Sequence, residues 1–238
     1  MSRDHVYIGT AGWNIPRAHK ERFPVVGSQI ARYGSCLNAA EINTSFYRPH
    51  APATYERWAA SVPAGFRFAV KMPKLISHER LLARAREPLT RFLDETSGLG
   101  RKRGPLLLQL PPSFEFETRR VGRFFELLRK GYTGPVVCER RHAAWTAAEA
   151  NDLLIGFEIA RVAADPPRAA GLCDPGGWTQ LTYYRWHGSP RHISRATRAA
   201  ICRDWPRRLA GARPRPGAFS TIRDPVLRLG TRWSWRYT

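Results

Sequence analysis

The chain has 238 residues, enough for one sizeable hydrophobic core, and its 39 lysines and arginines against 19 acidic residues give a net charge of +20. No apolar run approaches the roughly 20 residues that span a bilayer, and no signal-like apolar core is present, so we expect a cytoplasmic protein without a membrane segment. The four cysteines are scattered without metal-type or redox spacing, which argues against a disulfide-rich secreted domain.

Seven short apolar runs follow one another along the chain, and each ends in a polar or charged group. These runs with their polar ends occupy residues 8–13, 41–47, 68–73, 106–112, 136–142, 162–165 and 183–188. Short strands that alternate with helical segments are typical of a parallel α/β barrel, which carries its functional groups at the carboxyl ends of the strands. The pattern therefore predicts a TIM-type (β/α)8 barrel.

Segments with helical spacing of apolar residues separate these runs. They are predicted at 28–37, 53–61, 80–97 and 118–130, with a further helix beginning at Thr146. Pro88 predicts a bend or two helices within 80–97. Thr146 with Glu149 three residues later forms a capping-box pattern.

The motifs at these strand ends, taken in order, resemble those of the DUF72 (YecE-like) family. They are GT-x-GW at 9–13, EIN-x-SFY at 41–47, F-A-V-K-x-P-x-x-I-x-H at 68–78, L-L-Q-L-P-P-S-F at 107–114, E-x-R-H-x-x-W at 139–145 and R-x-H-G at 185–188. The resemblance covers about residues 6–191. It implies a (β/α)8 barrel and leaves the reaction open, because the biochemical activity of the family is not established.

The C-terminal segment departs from the family pattern. Residues 192–238 hold 11 arginines and two acidic residues, a net charge of +9, and lack the F-D-N-T-like final strand of the family. Read one nucleotide upstream, the codons for residues 217–223 are compatible with Trp-Cys-Ile-Phe-Asp-Asn-Thr. We therefore hypothesise a frameshift near Arg191, which makes residues 1–191 the barrel body and 192–238 an atypical basic tail, with an aberrant or incomplete eighth β/α unit. The alternative is a divergent natural C-terminus.

Because parallel strand ends converge, residues distant in sequence are expected to meet at the barrel mouth. The candidate site residues are Trp13, Glu41, Asn43, Tyr47, Lys71, Gln109, Glu139, Arg141, His142, Asp165, Arg185 and His187, with His78 as a weaker candidate. The aromatic residues Trp13, Phe46 and Tyr47 follow the first two strands, where they would form an aromatic wall for a sugar or a base, or else pack these loops over the barrel. Carboxylates inside apolar runs require partners, which the basic residues of this set can supply. A structural salt-bridge network is the alternative to a functional site.

An acid/base mechanism is one interpretation of this cluster. Glu41 or Glu139 would be the general base, and Lys71 or His187 the acid. The remaining members of the set would bind the substrate, and its two arginines would hold a phosphate or carboxylate group.

A divalent metal site is the other interpretation. It would use Glu41, Glu139, Asp165 and His187 as ligands. Because Lys71 lies in the same cluster and no motif such as H-x-x-x-H is present, we favour a site without a metal, and the sequence identifies no cofactor.

The pattern thus favours an enzyme that acts on a small anionic or sugar-like molecule. A nucleic-acid-binding or metal-dependent nucleic-acid-processing protein is the alternative, suggested by the charge of +11 on residues 1–191 and by the aromatic loops, with 101–103 as the basic segment that would make the contact. A non-functional frameshifted copy is the third. Arg140 stands where the family usually has an aromatic residue, and strand alternation predicts that it points toward the surrounding helices.

Overall fold

Eight parallel strands close into a barrel in the computed structural model, which describes residues 6–165, 167, 172–186 and 219–222, with Asp165 and 219–222 described as backbone only. The strands are β1 (Tyr7–Ala11), β2 (Ala39–Ile42), β3 (Arg67–Lys71), β4 (Arg103–Gln109), β5 (Val136–Glu139), β6 (Ile159–Asp165), β7 (Gly176–Gly177), β8 (Tyr183–Trp186) and β9 (Phe219–Ile222). Strands β1 to β6 pair in order, β6 pairs with β8, and β9 joins β8 to β1; β7 adds antiparallel to β6. The predicted TIM-type barrel is confirmed.

The eighth strand of the barrel, β9, lies within the basic C-terminal segment. It aligns with Tyr7–Thr10 of β1 on one side and with Tyr183–Trp186 of β8 on the other. A strand is therefore present where we expected an aberrant or incomplete unit, and it closes the ring. The rest of 192–238 and the position of the suggested frameshift lie outside the described residues, so the tail boundary and the frameshift stay predictions.

Helices follow the strands as the sequence pattern indicates. They are α1 (Gln29–Gly34), α2 (Thr44–Tyr47), α3 (Pro52–Ala60), α4 (Arg86–Ser97), α5 (Thr118–Gly131) and α6 (Ala148–Gly156). Three short 3-10 segments (Arg17–Arg22, Gly100–Lys102 and Ala143–Thr146) and one π-helical turn (Leu75–Glu79) complete the set. None of the helices in the described part of the chain is long and apolar enough to cross a membrane.

Two helix starts differ from the prediction. Helix α4 begins at Arg86 and continues unbroken to Ser97, because Pro88 falls in its first turn, where backbone N–H groups have no intrahelical acceptor to lose. Helix α6 begins at Ala148 rather than at Thr146. Glu149 accepts a hydrogen bond from Thr118 Oγ1 at 2.6 Å, so the predicted capping box does not form.

The register of the strands decides which residues reach the barrel mouth. The barrel interior is packed with Ala39, Ala69, Leu107, Val137 and Tyr183, among others. Side chains two residues apart on a strand point to the same face. The next inward positions toward the carboxyl ends are therefore those of Glu41, Lys71, Gln109, Glu139 and Arg185, which places these five polar groups above the apolar interior.

Candidate functional site

Arg185 lies between two carboxylates at the barrel mouth. Its Nε donates to Glu41 Oε2 at 3.0 Å, its Nη2 donates to Glu41 Oε1 at 2.7 Å, and its Nη1 donates to Glu139 Oε2. All three side chains are buried, with 5% or less of each exposed. Burial lowers the pKa of Arg185, but the charges of Glu41 and Glu139 outweigh this effect and raise it.

Glu41 is the deepest charged group of the site, with none of its surface exposed. Besides Arg185, the Tyr183 hydroxyl donates to its Oε2 at 2.9 Å, and the Asn43 side chain adds a further hydrogen bond. Burial raises the pKa of Glu41, but the Arg185 charge and these hydrogen bonds leave it below its ordinary value. Glu41 is therefore an ionised acceptor that holds Arg185 and Tyr183 in place.

Three donors among the described residues, from β4, β8 and the end of β5, bind Glu139. Gln109 Nε2 donates to its Oε2 at 2.9 Å, and Arg141 Nε donates to its Oε1 at 2.8 Å, in addition to the Arg185 contact. Gln109 and Glu139 are register partners on β4 and β5. The barrel thus brings together Glu41, Gln109, Glu139, Arg141 and Arg185 as predicted, in a network in which each carboxylate binds an arginine.

Lys71 lies at the end of β3 beside this network and is 8% exposed. Its Nζ is 3.8 Å from the centroid of the Phe46 ring. Within the described residues Lys71 forms no ion pair, since the ion pairs of the two buried carboxylates are with arginines. The amine of Lys71 is therefore buried against an aromatic ring and forms no salt bridge with any described residue.

The surroundings of Lys71 lower the pKa of its amine. Burial is the main cause that lowers its pKa, and the positive charge of Arg185 acts in the same direction. Glu41 and Glu139 oppose both effects, yet the pKa of Lys71 still falls to about 8. A lysine with this pKa exists as both ammonium and amine near neutral pH.

His78, the weaker candidate, contacts the same Phe46 ring as Lys71 does. Its ring centroid is 5.0 Å from that of Phe46, and its Nδ1 is 2.8 Å from Ser77 Oγ. Burial, together with the charges of Lys71 and Arg141, lowers the pKa of His78. His78 and Phe46 thus lie together beside the charged cluster, and they belong to the motifs at 68–78 and 41–47.

Arg141 is held at its Nε atom, whereas no described residue holds the two Nη atoms of its guanidinium. Its Nε is bound to Glu139, while its Nη1 and Nη2 have no protein partner among the described residues. The side chain is 14% exposed, more than that of Glu139 at 2%. The fork of Arg141 is thus oriented by one hydrogen bond and leaves its terminal N–H groups available.

Trp13, Tyr47 and His142 do not line this network. Gly12 adopts a φ of +79°, which favours glycine, and the ring of Trp13 then packs against Trp58 at a centroid distance of 5.0 Å, in the layer between strands and helices. His142 Nδ1 accepts from the Ala144 N–H at 3.2 Å, so this histidine caps the following 3-10 turn.

Tyr47 is 75% exposed and borders a separate cleft of about 380 Å³. This cleft lies beside the mouth, between α2, the segment after β3, and α4, and Arg48 and Arg91 also line it. The predicted aromatic wall over the mouth is therefore not formed by Trp13 and Tyr47. The aromatic ring that contacts the charged cluster is Phe46, one residue before Tyr47.

Two predicted residues cannot be placed in the site. The backbone of Asp165 ends β6 and aligns with Trp186 of β8, but its side chain lies outside the described atoms. His187 lies outside the described residues. Among the side chains that are described, no group of three or more His, Cys, Asp or Glu residues is arranged to hold a metal ion.

Arg140 points away from the mouth, as strand alternation predicted. It is 4% exposed, and its Nη1 donates to the Trp145 carbonyl oxygen at 3.0 Å. Its Nε and Nη2 are buried without a hydrogen-bond partner in the described structure. Burial is the largest cause that lowers the pKa of Arg140 to about 10, and the charge of Arg161 adds to it.

Comparison with known proteins relates the whole barrel to one family. The family described as "Protein of unknown function DUF72" matches residues 7–223. The UPF0759 protein YecE of Escherichia coli K12 is 31% identical over 109 residues, which cover 46% of this chain and 39% of YecE. The chain thus matches about two fifths of the length of this curated relative.

Solved structures show the same fold. A DUF72 family protein from Thermotoga maritima MSB8 has a TM-score of 0.72 and 21% identity, with 93% of both chains covered. One from Enterococcus faecalis V583 has a TM-score of 0.74 and 17% identity, with 92% of this chain and 89% of that chain covered. At these identities the structures support the architecture alone.

Proposed function

The chain belongs to the DUF72 family of proteins of unknown function, and we propose that it is an enzyme that binds a small anionic or sugar-like substrate at the barrel mouth. Two cationic groups carry this proposal. The Nζ of Lys71 and the Nη atoms of Arg141 lie at the mouth, and neither has a carboxylate partner among the described residues. In this proposal the anionic group of the substrate supplies the missing partner.

The charge balance of the described cluster supports an anionic ligand. Lys71, Arg141 and Arg185 provide three positive charges when the lysine is protonated, against the two carboxylates of Glu41 and Glu139. One cationic charge is therefore uncompensated in surroundings of low dielectric, where an anion is attracted more strongly than in water. The planar fork of Arg141 suits a phosphate or carboxylate, which it can bind through two parallel hydrogen bonds.

We assign proton transfer to Lys71 rather than to a carboxylate. Glu41 is fully buried and surrounded by donors, and Glu139 is bound by Gln109 and two arginines. Both carboxylates therefore act as positioning residues. An amine with a pKa of about 8 can take up or release a proton near neutral pH, as a general acid or base requires.

The alternative of a metal site is not favoured by this arrangement. The guanidinium of Arg185 lies between Glu41 and Glu139 and binds both. A divalent cation held by these two carboxylates would have to displace that guanidinium. The other two proposed ligands, Asp165 and His187, have no described side chains, so their part in a metal site stays a prediction.

The nucleic-acid alternative rests on net charge. Of the basic residues at 101–103, Lys102 donates its Nζ to the carbonyl oxygens of Ala59 and Val62, at 2.6 and 2.5 Å. Arg103 packs over the Tyr132 ring, at 4.8 Å from its centroid. Two of the three residues therefore have structural contacts at the amino end of β4, opposite the mouth, and we do not adopt this alternative.

Calorimetric binding at low ionic strength tests the proposal, with ribose 5-phosphate and ribose as the two ligands. We expect ribose 5-phosphate to bind at least tenfold more tightly than ribose. Arg141→Gln should weaken the binding of ribose 5-phosphate about tenfold, since a charged hydrogen bond contributes about 1.5–3 kcal/mol. Arg120→Gln is the matched control, because Arg120 is exposed and pairs with Glu117. Equal binding of both ligands, or an equal loss in both variants, would contradict the proposal.

A further inference from the structure

We propose that the Lys71 amine forms a covalent imine with an aldehyde or ketone carbonyl of the bound compound, so that the mouth recognises small carbonyl compounds that carry an anionic group. This inference rests on the proposed function, since the anionic group is taken to bind at Arg141. It goes further by naming the reacting carbonyl and by giving Lys71 a covalent role.

The position of Lys71 suits a nucleophile. The residue is 8% exposed, so its amine is largely shielded from water, and the Phe46 ring lies 3.8 Å from its Nζ. Two arginines lie close enough to disfavour the ammonium form, whereas the nearby carboxylates are bound to those arginines. A desolvated lysine beside other cationic groups is the arrangement that activates lysine for addition to carbonyl compounds.

The other lysines of the chain lack this combination. There are five lysines in all, and four of them are Lys20, Lys74, Lys102 and Lys130. Lys74, three residues after Lys71, has a side chain that is 51% exposed and pairs with Glu79 at 3.4 Å. Lys102 Nζ donates to two backbone carbonyl oxygens. Lys71 thus differs from Lys74 and Lys102 because it is buried and its Nζ has neither a carboxylate nor a carbonyl partner in the described structure.

The chemical step is balanced without an oxidant or a reductant. The lone pair of the neutral Lys71 amine forms a bond to the carbonyl carbon, and the C=O π electrons move to oxygen, which takes a proton. The nitrogen loses a proton to give the neutral carbinolamine. The hydroxyl group, protonated again, then leaves as water while the nitrogen lone pair forms the C=N bond of an iminium ion. The iminium nitrogen finally releases its remaining proton, which leaves the neutral imine. The products are an imine and one water molecule, with no net gain or loss of protons.

Reductive trapping tests this step. The full chain is incubated with glycolaldehyde phosphate, a two-carbon aldehyde with a phosphate group, and sodium borohydride then adds hydride to any imine to give a stable secondary amine. Peptide mass spectrometry locates the adduct among the five lysines. With glycolaldehyde phosphate, we expect Lys71 to be modified at least tenfold more than Lys74. Glycolaldehyde, which lacks the phosphate, should modify Lys71 at least tenfold less than glycolaldehyde phosphate does.

Two variants separate the imine from anion binding. Lys71→Arg keeps a positive charge but has no nucleophilic amine, so it should bind inorganic phosphate within about threefold of the wild type and lose the adduct. Lys74→Arg, the matched control, should keep both. Thermal unfolding of each variant verifies that it is folded.

The outcomes distinguish the two proposals. Phosphate binding without an adduct at Lys71 would overturn the imine and leave the anion site standing. An adduct spread evenly over Lys71 and the exposed lysines would also overturn it. If the wild type binds neither inorganic phosphate nor ribose 5-phosphate and no adduct forms, the proposed function fails together with this inference.

Discussion

Arg185 and Glu41 form a two-point ion pair inside the barrel mouth, between residues 144 positions apart in sequence. Both oxygens of the carboxylate accept from one guanidinium, at 3.0 and 2.7 Å, and neither side chain has more than 5% of its surface exposed. A buried pair of this kind connects β2 to β8 across the barrel. Removal of one partner leaves a charge without compensation in an apolar environment.

Arg185→Met should therefore destabilise the protein strongly. We expect a loss of about 3–5 kcal/mol in the free energy of unfolding, because Glu41 and Glu139 would both lose a buried partner. Arg120→Met, which breaks an exposed pair with Glu117, should cost less than about 1 kcal/mol. Urea denaturation of both variants measures the difference, and equal small losses would contradict the structural role of Arg185.

Lys71→Met should stabilise the fold at neutral pH. The pKa of Lys71 falls from 10.5 to about 8 on folding, so burial of the ammonium below pH 8 costs free energy. We expect the variant to be more stable than the wild type by about 1–3 kcal/mol at pH 7.

The sign of the pH dependence follows from the same shift. Between pH 8 and 10.5 the folded wild type has released the Lys71 proton while the unfolded chain still holds it, so wild-type stability rises relative to that of the variant. The advantage of Lys71→Met should shrink across this window. Urea denaturation at several pH values tests it with Lys74→Met as control, and an advantage that stays constant would mean that the fold does not depress the Lys71 pKa.

Arg140→Leu should also stabilise the protein. The Arg140 side chain is buried with two nitrogen atoms unpartnered in the described structure, and unsatisfied buried donors cost about 1–3 kcal/mol. Leucine removes these donors, so we expect a gain of about 1–2 kcal/mol in the free energy of unfolding. A loss of stability on this substitution would show that Arg140 has a compensating contact.

The frameshift hypothesis predicts a one-base displacement in the gene. Accurate sequencing across the codons for Tyr184 to Thr238 should reveal it near Arg191. The repaired reading would place Ile-Phe-Asp-Asn where β9 now carries Phe219–Ile222, followed by threonine at position 223. An intact frame would show that the basic segment is native and that this chain closes its barrel with the residues as written.

The strand ends could be predicted because alternation along short apolar strands is a local property. Glu41, Lys71 and Glu139 each lie two residues after an interior apolar residue, and the structure places all three at the mouth. The sequence predicted that basic residues of the set pair with the two carboxylates, but not which ones. That Arg185 binds both depends on the stagger of the strands around the closed barrel.

Side chains in the loops were predicted less well. Trp13 was expected over the mouth, but the left-handed Gly12 before it sends the ring into the outer layer. His142 was expected at the mouth with Glu139, yet its ring accepts a hydrogen bond from the Ala144 N–H and caps the 3-10 turn that follows β5. Such directions are set by one or two backbone angles after a strand, which residue type alone specifies poorly.

The most direct test of the central claim is an NMR titration of the protein with 13Cε-labelled lysine, with and without inorganic phosphate. Lys71→Arg identifies the Lys71 resonance among the five lysines. We predict a midpoint of about 8 for Lys71 without phosphate, and a higher midpoint when the bound anion stabilises the ammonium. A midpoint at the ordinary value of about 10.4 that phosphate does not change would contradict an activated lysine in an anion site.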